Sequence, residues 1–256
     1  MTSPGSIAII PARMGSTRFP GKPLANKTGK TLIQHVVEAA ARADSVSRVV
    51  VATDDERIRA AVEEFGGQAV MTGEHENGTS RLAEAAALLG LPDDEIVINV
   101  QGDEPEIEPG VIDAAVGALI ESGCPMATVA SPLPSTADAT DPNVVKVVLR
   151  SDGRAMYFTR SGVPYARTDD LPAARLRHVG LYVYRRAFLD VYAGLSSTPL
   201  ERTERLEQLR VLEHGHDIAV AVIESRHEGI DTPEQYEAFV VRQRAEEATG
   251  DEPLAT

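Results

Sequence analysis

Short runs of β-branched and other apolar residues alternate with amphipathic segments through the first half of the chain. The first run is Ile7–Ile10, and the run Arg48–Thr53 follows a segment beginning near Thr31 whose apolar residues recur at helical spacing. Similar spacing recurs after Asp55 and stops at Gly66. Strands that alternate with amphipathic helices are typical of a parallel sheet covered by helices on both faces. We therefore predict an α/β fold that begins with βαβ units.

The middle of the chain changes this pattern. The almost wholly apolar run Glu95–Val100 predicts a strand buried at the centre of the sheet. Further on, Val144–Leu149 and Ala155–Phe158 flank the turn residues Asp152 and Gly153, which predicts a β-hairpin. The hairpin makes the expected sheet mixed, although mostly parallel. The other predicted elements are the strands Ala69–Met71, His178–Tyr184 and Ile218–Ile223 and the helices Thr79–Leu89, Pro109–Ser122, Thr203–His214 and one from Pro233.

The chain has 256 residues and shows no repeat, no low-complexity tract and no composition shift that would mark a linker. A chain of this length can bury a full core. We predict a single domain over residues 1–247 with a small lobe at about 130–200. Residues 248–256 are expected to form a flexible tail.

Charge and composition exclude several classes of protein. The 25 basic and 39 acidic residues leave a net charge of −14, which argues against binding to nucleic acid or to an anionic membrane. Apolar stretches such as Val49–Ala52 are far too short to span a bilayer, and the first residues do not resemble a signal peptide. Cys124 is the single cysteine, so no internal disulfide can form. We expect a cytoplasmic protein.

A long loop after the first strand carries the first candidate chemistry. Residues 11–24 include Arg13, Arg18 and Lys22, with Gly15 and Gly21 between them. Three cations on a loop at the end of a strand suit a polyphosphate, because ligands of open α/β sheets bind beyond the carboxyl ends of the strands. The spacing does not satisfy the Walker loop. For Arg18 alone a structural role is an equal alternative.

Two carboxylates and one arginine follow other predicted strands or open a helix. Asp103 comes directly after the buried strand and can hold Mg²⁺, whereas the neighbouring Glu104 is as well explained as the cap of a turn. Asp231 ends a strand-like turn and is a further candidate site residue, although Thr232 or Asp231 could also cap the helix that opens at Pro233. Arg81 lies near a helix N-terminus, a position that favours anions.

Three ordered motifs carry a resemblance to a known family. They are IPARxxSTRxPGKPL at residues 10–24, VQGDEP at 100–105 and GIDTPE at 229–234. Together with shorter matches between about Ile7 and Phe239, they closely resemble the CMP-KDO synthetases, or 3-deoxy-manno-octulosonate (KDO) cytidylyltransferases. The resemblance implies a three-layer fold like that of type A glycosyltransferases and nucleotide-diphospho-sugar transferases. It also implies a homodimer formed through the smaller lobe.

The resemblance further implies a reaction and a set of residues. The reaction is transfer of CMP from CTP to KDO with Mg²⁺ as cofactor and pyrophosphate as second product, in lipopolysaccharide precursor synthesis. Arg13, Lys22, Asp103 and Asp231 are the implied catalytic residues, with the two aspartates as metal ligands. The implied substrate contacts are Arg13, Ser16, Lys22, Arg81 and Gln101 for the nucleotide, and Arg160, His178, Tyr182, Glu207 and Gln208 for the sugar acid.

Several alternatives remain open from the sequence. Tyr182 could be a core residue, Glu207 an exposed helix charge and His178 a structural histidine. The segment Tyr165–Arg177 is shorter and richer in alanine than the resemblance leads us to expect. A cytidylyltransferase for another acidic sugar, such as an amino-KDO or a nonulosonate, is therefore the main alternative. A catalytically idle nucleotide-binding protein is a further one. No residue is identified as a general base, and the absence of GxGxxG after the first strand argues against a dinucleotide-binding oxidoreductase.

Overall fold

A computed structural model of the chain describes residues 6–16, 18–75, 77–133, 139–167, 175–225 and 229–250, with side chains up to residue 245. Within these residues nine strands form one sheet. The strands are β1 (Ser6–Ala12), β2 (Arg48–Thr53), β3 (Ala69–Met71), β4 (Ile96–Asn99), β5 (Met126–Pro132), β6 (Lys146–Leu149), β7 (Ala155–Thr159), β8 (Leu176–Arg185) and β9 (Ile218–Val222). The helices are α1 (Leu32–Ala40), α2 (Glu56–Glu64), α3 (Gly78–Leu88), α4 (Pro109–Ser122), α5 (Arg186–Gly194), α6 (Pro199–Glu204), α7 (Gln208–Glu213) and α8 (Pro233–Gly250).

The sheet is mixed, as the sequence predicts. Its order is β3-β2-β1-β4-β8-β5-β9, and β6 joins β8 at the side while pairing with β7. The strands β3, β2, β1 and β4 are parallel, whereas β8 runs antiparallel to both β4 and β5. The first half of the chain thus forms a parallel unit, and the antiparallel β8 connects it to the second half.

Helices cover both faces of the sheet and give three layers. Successive side chains of a strand point to opposite faces, so Ala8 and Ile10 of β1 pack on one side and Ile7 and Ile9 on the other. The first side is covered by α1, α2 and α4, and the second by α3, α5 and α7. Every residue of β4 is buried, which confirms its predicted place inside the sheet. The expected three-layer α/β architecture is therefore confirmed.

The C-terminal helix α8 packs against the start of α1. Tyr236 and Phe239 of α8 are buried together with Leu32 and Ile230 in a small apolar cluster. The segment around Ile230 is thereby held at the edge of the sheet, where it contributes to the site described below. No helix among the described residues is both long and apolar enough to cross a membrane.

Local capping signals explain several helix starts. The Thr31 side chain accepts a hydrogen bond from the backbone N–H of Gln34, and the Asp55 side chain accepts one from that of Arg57. Such caps satisfy backbone donors that the first turn of a helix leaves unpaired. The starts of α1 and α2 therefore lie where the sequence pattern places them.

One prediction of secondary structure is wrong. The helix predicted over Thr203–His214 is two short helices, α6 and α7, because Arg205 adopts the left-handed conformation with φ of 53° and ends α6. Helix α8 extends to Gly250, and the flexible tail predicted over residues 248–256 stays a prediction. Residues 251–256 lie outside the described part of the chain. Strand β5 and helix α5 were not among the elements predicted.

Packing of α1 against the sheet generates a stability prediction. Ile33 of α1 is fully buried, so Ile33→Ala should lower the free energy of unfolding by about 2–5 kcal/mol through lost burial and a residual cavity. Ile120 of α4 is 51% exposed, and Ile120→Ala is the matched control with an expected change within about 0.5 kcal/mol. Urea denaturation of both variants measures the difference. Equal stability of the two would contradict the described packing of α1.

Candidate active site

Three loops meet at the carboxyl ends of β1 and β4. The backbone N–H of Ile230 donates a hydrogen bond of 2.8 Å to the carbonyl oxygen of Asp103, which ties the segment before α8 to the loop after β4. Gly102 of the loop after β4 lies directly against the end of β1, because a Cβ atom at this position would be 2.8 Å from the carbonyl oxygen of Pro11. Glycine is thus required for this loop to approach β1 so closely.

Lys22 connects all three loops through its ammonium group. It follows Gly21, whose φ of 72° makes the turn into the short 3-10 helix Lys22–Leu24. The Lys22 Nζ atom lies 2.8 Å from Asp103 Oδ2, 2.9 Å from the carbonyl oxygen of Ile230 and 3.5 Å from Asp231 Oδ1. The two predicted metal ligands therefore face one position, which is filled by a cation of the protein itself.

The capping alternative for Asp231 is wrong. Thr232 caps α8, because its side chain accepts a hydrogen bond from the backbone N–H of Gln235. In return, the Gln235 side chain accepts hydrogen bonds from the backbone N–H groups of Asp231 and Thr232. The Asp231 carboxylate is left to contact Lys22 and Arg18, whose Nη2 atom is 3.0 Å from Asp231 Oδ2. Asp231 is thereby part of the site.

A cleft of about 400 Å³ lies above these loops. Arg13 is exposed to it and forms no ion pair with the residues that the structure describes. Arg13 therefore presents an uncompensated charge at the cleft. The residues predicted for the nucleotide, the triphosphate and the metal all line this cleft: Arg13, Ser16, Lys22, Arg81, Gln101, Asp103 and Asp231.

Arg81 forms one wall of the cleft and is itself firmly held. Its Nη1 atom donates a hydrogen bond of 2.6 Å to the Thr72 hydroxyl, and its Nη2 atom lies 2.6 Å from the Asp54 carboxylate. Arg81 is buried and belongs to the first turn of α3, which is capped by Asn77. Arg81 thus brings a positive charge to the cleft in a fixed orientation, although Asp54 compensates part of that charge.

A second pocket of about 590 Å³ adjoins the cleft. Arg18, Gly78, Gln101 and Glu207 line both spaces, so the two share a boundary at these residues. The residues predicted for the sugar acid line the second pocket: Arg160, His178, Tyr182, Glu207 and Gln208.

Two of the residues that line the second pocket, His178 and Tyr182, are neutral ring groups. Burial lowers the pKa of His178 to about 3 and raises the pKa of Tyr182 well above its usual value, so both groups are uncharged near neutral pH. The two rings lie 5.3 Å apart between centroids, and Phe158 packs edge-on against His178.

Glu207 lies at the boundary between the cleft and the pocket. Its carboxylate accepts a hydrogen bond of 3.2 Å from the Thr79 hydroxyl. The side chain is open to the cleft and surrounded by protein on its other sides, and this burial raises its pKa. Leu206 and Leu209 on either side are buried, which holds Glu207 and Gln208 at the pocket.

Arg160 is held at the pocket by uncharged groups. Its Nε atom donates to the carbonyl oxygen of Glu204 at 2.8 Å, and its Nη1 atom donates to that of Pro142 at 2.7 Å. These carbonyl groups orient the guanidinium. The Glu204 carboxylate accepts a hydrogen bond of 2.9 Å from the Arg160 backbone N–H, and the Arg160 charge helps to lower the pKa of Glu204, but the guanidinium itself forms no ion pair with the described residues. Arg160 is therefore suited to meet an anion.

Comparison with known proteins identifies the family. The model of the cytidylyltransferase family matches residues 7–218. A 3-deoxy-manno-octulosonate cytidylyltransferase from Syntrophobacter fumaroxidans is 50% identical over 248 residues, which are 95% of this chain and 98% of that protein. A 3-deoxy-manno-octulosonate cytidylyltransferase from Anaeromyxobacter sp. strain K is 53% identical over 230 residues, covering 90% of this chain and 93% of that protein. The chain belongs to the 3-deoxy-manno-octulosonate cytidylyltransferase family. It is accordingly a nucleotidyltransferase, as the sequence motifs predict.

Solved structures agree with this family. The structure of a CMP:2-keto-3-deoxy-manno-octonic acid synthetase complexed with CTP has a TM-score of 0.88 and 41% identity, covering 94% of this chain and 99% of that one. A putative glucose-1-phosphate thymidylyltransferase from Bacillus anthracis has a TM-score of 0.64 at 14% identity, covering 98% of each chain, and shows the fold alone. The expected nucleotidyltransferase-like fold of the cytidylyltransferase family is thereby confirmed.

Other residues line the second pocket without having been predicted. They are Asn99, Tyr184, Tyr192 and Arg205, among others. Asn99 ends β4 two residues before Gln101, so the rule that strand ends carry ligands would have found it. In the sequence, Tyr184 and Tyr192 resemble ordinary aromatic residues of the core. Arg205 lies at the pocket where its left-handed conformation interrupts the helix, and no sequence pattern indicates that break.

The position of Lys22 generates a prediction for the cytidylyltransferase. Lys22→Ala removes a positive charge from the cleft, so we expect the Kd for CTP with Mg²⁺ to rise about tenfold or more. Lys30 is exposed and pairs with Glu38, and Lys30→Ala is the control that should leave the Kd unchanged. Isothermal titration calorimetry without any sugar measures both variants. An unchanged Kd for Lys22→Ala would refute the proposed contact with the triphosphate.

Proposed function

We propose that the chain transfers CMP from CTP to the anomeric hydroxyl of KDO and releases pyrophosphate. CTP occupies the cleft of Lys22 and Asp103, and the sugar acid occupies the adjoining pocket of Arg160 and His178. The observation that carries the proposal is that the two spaces share a boundary at Gln101 and Glu207. Two substrates bound on either side of this boundary meet at one point, as a transfer between them requires.

The basic groups of the cleft suit a triphosphate. Arg13 offers an uncompensated guanidinium, and Lys22 offers an ammonium group that a phosphate can reach at the end of a flexible stem. The reaction joins two anions and builds negative charge on the departing pyrophosphate. Fixed positive groups around the phosphate oxygens stabilise that charge.

The carboxylates of Asp103 and Asp231 fit a divalent cation. Their oxygens already converge on one cation, the Lys22 ammonium group. Mg²⁺ is commonly held by one or two carboxylates, and phosphate oxygens and water complete its ligands. The described residues contain no group of three or more His, Cys, Asp and Glu side chains suited to a metal, so the substrate would have to supply ligands. Mg²⁺ bound there would add positive charge at the phosphate oxygens.

The pocket suits an acidic sugar. Arg160 forms no ion pair with the described residues, so its charge is available for the carboxylate of the sugar. The Gln208 side chain is buried with its Nε2 atom unpaired among the described residues, and it can donate to a sugar hydroxyl. The arginines that line the pocket, Arg18, Arg160 and Arg205, suit the carboxylate of KDO, and the neutral polar groups suit its hydroxyls.

The proposed transfer does not require a dedicated general base. The anomeric oxygen forms a bond to the α-phosphorus while the bond from that phosphorus to the bridging oxygen of pyrophosphate breaks, and the hydroxyl proton leaves to solvent or to the product phosphate. We assign no general base. The protein's contribution is to hold the two anions in line and to stabilise the developing charge.

Another acidic sugar is the second candidate. An amino-KDO or a nonulosonate would use the same nucleotide cleft, and the pocket of Arg160, His178, Tyr182, Glu207 and Gln208 would decide between them. Residues 168–174 of the segment that motivates this alternative lie outside the described part of the chain. The homodimer and the cytoplasmic location stay predictions.

Pyrophosphate release tests the proposed reaction directly. The purified protein is assayed with Mg²⁺ and each of CTP, UTP and ATP, with KDO, amino-KDO, a nonulosonate or no sugar. We expect release only with CTP and KDO together. Release with CTP and another sugar acid would keep the nucleotide cleft and replace the sugar. No release with any pair would favour an idle nucleotide-binding protein.

Asp103 provides a test of the metal site. Asp103→Asn keeps the size of the side chain and removes a negative ligand, so turnover at saturating Mg²⁺ should fall about a hundredfold or more. Asp93 is a surface residue whose side chain is 87% exposed, and Asp93→Asn is the control with turnover unchanged. Circular dichroism and urea denaturation check that both variants fold. Near-normal turnover of Asp103→Asn would remove Asp103 from the proposed set of ligands.

A further inference from the structure

Thr128 of β5 lies behind the sugar pocket and is fully buried. It pairs with Tyr182 of β8, and the next pair of residues is Val129 with Val179. The pairing therefore skips Gly180 and Leu181, which form a bulge in β8. Bulges redirect backbone and side-chain groups beside functional sites. Here the bulge turns β8 carbonyl groups toward the Thr128 hydroxyl.

The hydrogen bonds of Thr128 leave only one consistent assignment of protons. Its Oγ1 atom lies 2.6 Å from the carbonyl oxygen of Leu181, 3.3 Å from that of Val179 and 2.9 Å from His178 Nε2, so the shortest contact is to Leu181. A carbonyl oxygen can only accept, and two oxygens at 2.6 Å repel each other unless a proton lies between them. The Thr128 hydroxyl therefore donates to Leu181. It must accept from His178, so Nε2 carries a proton.

His178 is therefore left with one basic nitrogen. The ring is neutral because burial lowers its pKa to about 3. In a neutral ring with a proton on Nε2, Nδ1 carries a lone pair and acts as an acceptor. The described residues provide no hydrogen-bond donor to Nδ1, and the ring lines the sugar pocket.

We propose that Thr128 is a positioning residue that holds His178 in the tautomer protonated on Nε2, so that Nδ1 accepts a hydrogen bond from a hydroxyl of the sugar acid. This inference rests on the proposed function for the identity of the ligand. It gives His178 and Arg160 separate tasks: Arg160 meets the carboxylate, whereas His178 selects a hydroxyl. Because the neutral His178 ring does not attract the carboxylate, this contact recognises the position of a hydroxyl group of the sugar acid and not its charge.

The tautomer can be measured without any activity. In ¹⁵N-histidine-labelled protein at pH 7, the ring nitrogens of His178 should give one pyrrole-type signal at Nε2 and one pyridine-type signal at Nδ1. The chain has six histidines, and the signals that disappear in His178→Gln assign the residue. A positively charged ring, or a proton on Nδ1, in the wild-type protein would overturn the proposal.

Two variants of Thr128 separate positioning from packing. Thr128→Val keeps the branched shape and removes the hydroxyl, whereas Thr128→Ser keeps the hydroxyl. For Thr128→Val we expect a mixture of tautomers and an increase of about tenfold in the KM for KDO, with the KM for CTP within about twofold of the wild type. Thr128→Ser should restore both the tautomer and the KM for KDO.

The outcomes distinguish this proposal from the proposed function. A wild-type tautomer that persists in Thr128→Val would overturn the role of Thr128. An altered tautomer with an unchanged KM for KDO would overturn the role of Nδ1 as acceptor. If no sugar acid supports pyrophosphate release, the proposed function fails, whereas the tautomer measured by NMR still tests the role of Thr128.

Discussion

One ammonium group holds the active site together. Lys22 is largely buried, and its Nζ atom contacts the loop after β4 through Asp103 and the segment before α8 through Ile230 and Asp231. A buried cation is stable only when charged and polar partners replace its lost water. The two carboxylates likewise lie close together only because a cation separates them. A phosphate that drew Lys22 toward itself would leave them facing each other, which is the physical reason to place the proposed metal between them.

The sheet explains why the two substrate spaces adjoin. The parallel strands β1 and β4 end at the same edge, and Gly102 lets the loop after β4 touch the end of β1. Strand β8 runs in the opposite direction beside β4, with Tyr182 opposite Asn99. Its first half therefore lies at the edge where β4 ends. A change of strand direction in the middle of the sheet thus brings the imidazole and phenol groups of β8 beside the phosphate-binding loops.

The sequence predicts elements well where the signal is local. Arg48–Thr53 and Pro109–Ser122 are found with the predicted bounds, since β-branched residues favour the first and an N-terminal proline the second. The break between α6 and α7 has no such signal, because Arg205 takes a conformation that glycine usually marks. The site behaves similarly. Strand ends point to Lys22 and Asp103. The residues predicted for the sugar pocket lie just after β7, on β8 and at the start of α7, and only the family motifs grouped them.

The sugar pocket has to attract an anion inside a protein of net charge −14. Burial keeps His178 and Tyr182 of its wall uncharged, and burial also favours the protonated form of Glu207. Attraction therefore depends on the arginines that line the pocket, which are Arg18, Arg160 and Arg205. The guanidinium of Arg160 is oriented by backbone carbonyls. Arg81 differs, because Asp54 offsets its charge. The Glu204 carboxylate near Arg160 accepts only from its backbone N–H, so the Arg160 guanidinium is not held in a direct ion pair like that of Arg81 with Asp54. This difference, which no sequence pattern carries, leaves the Arg160 guanidinium more open to an anionic ligand.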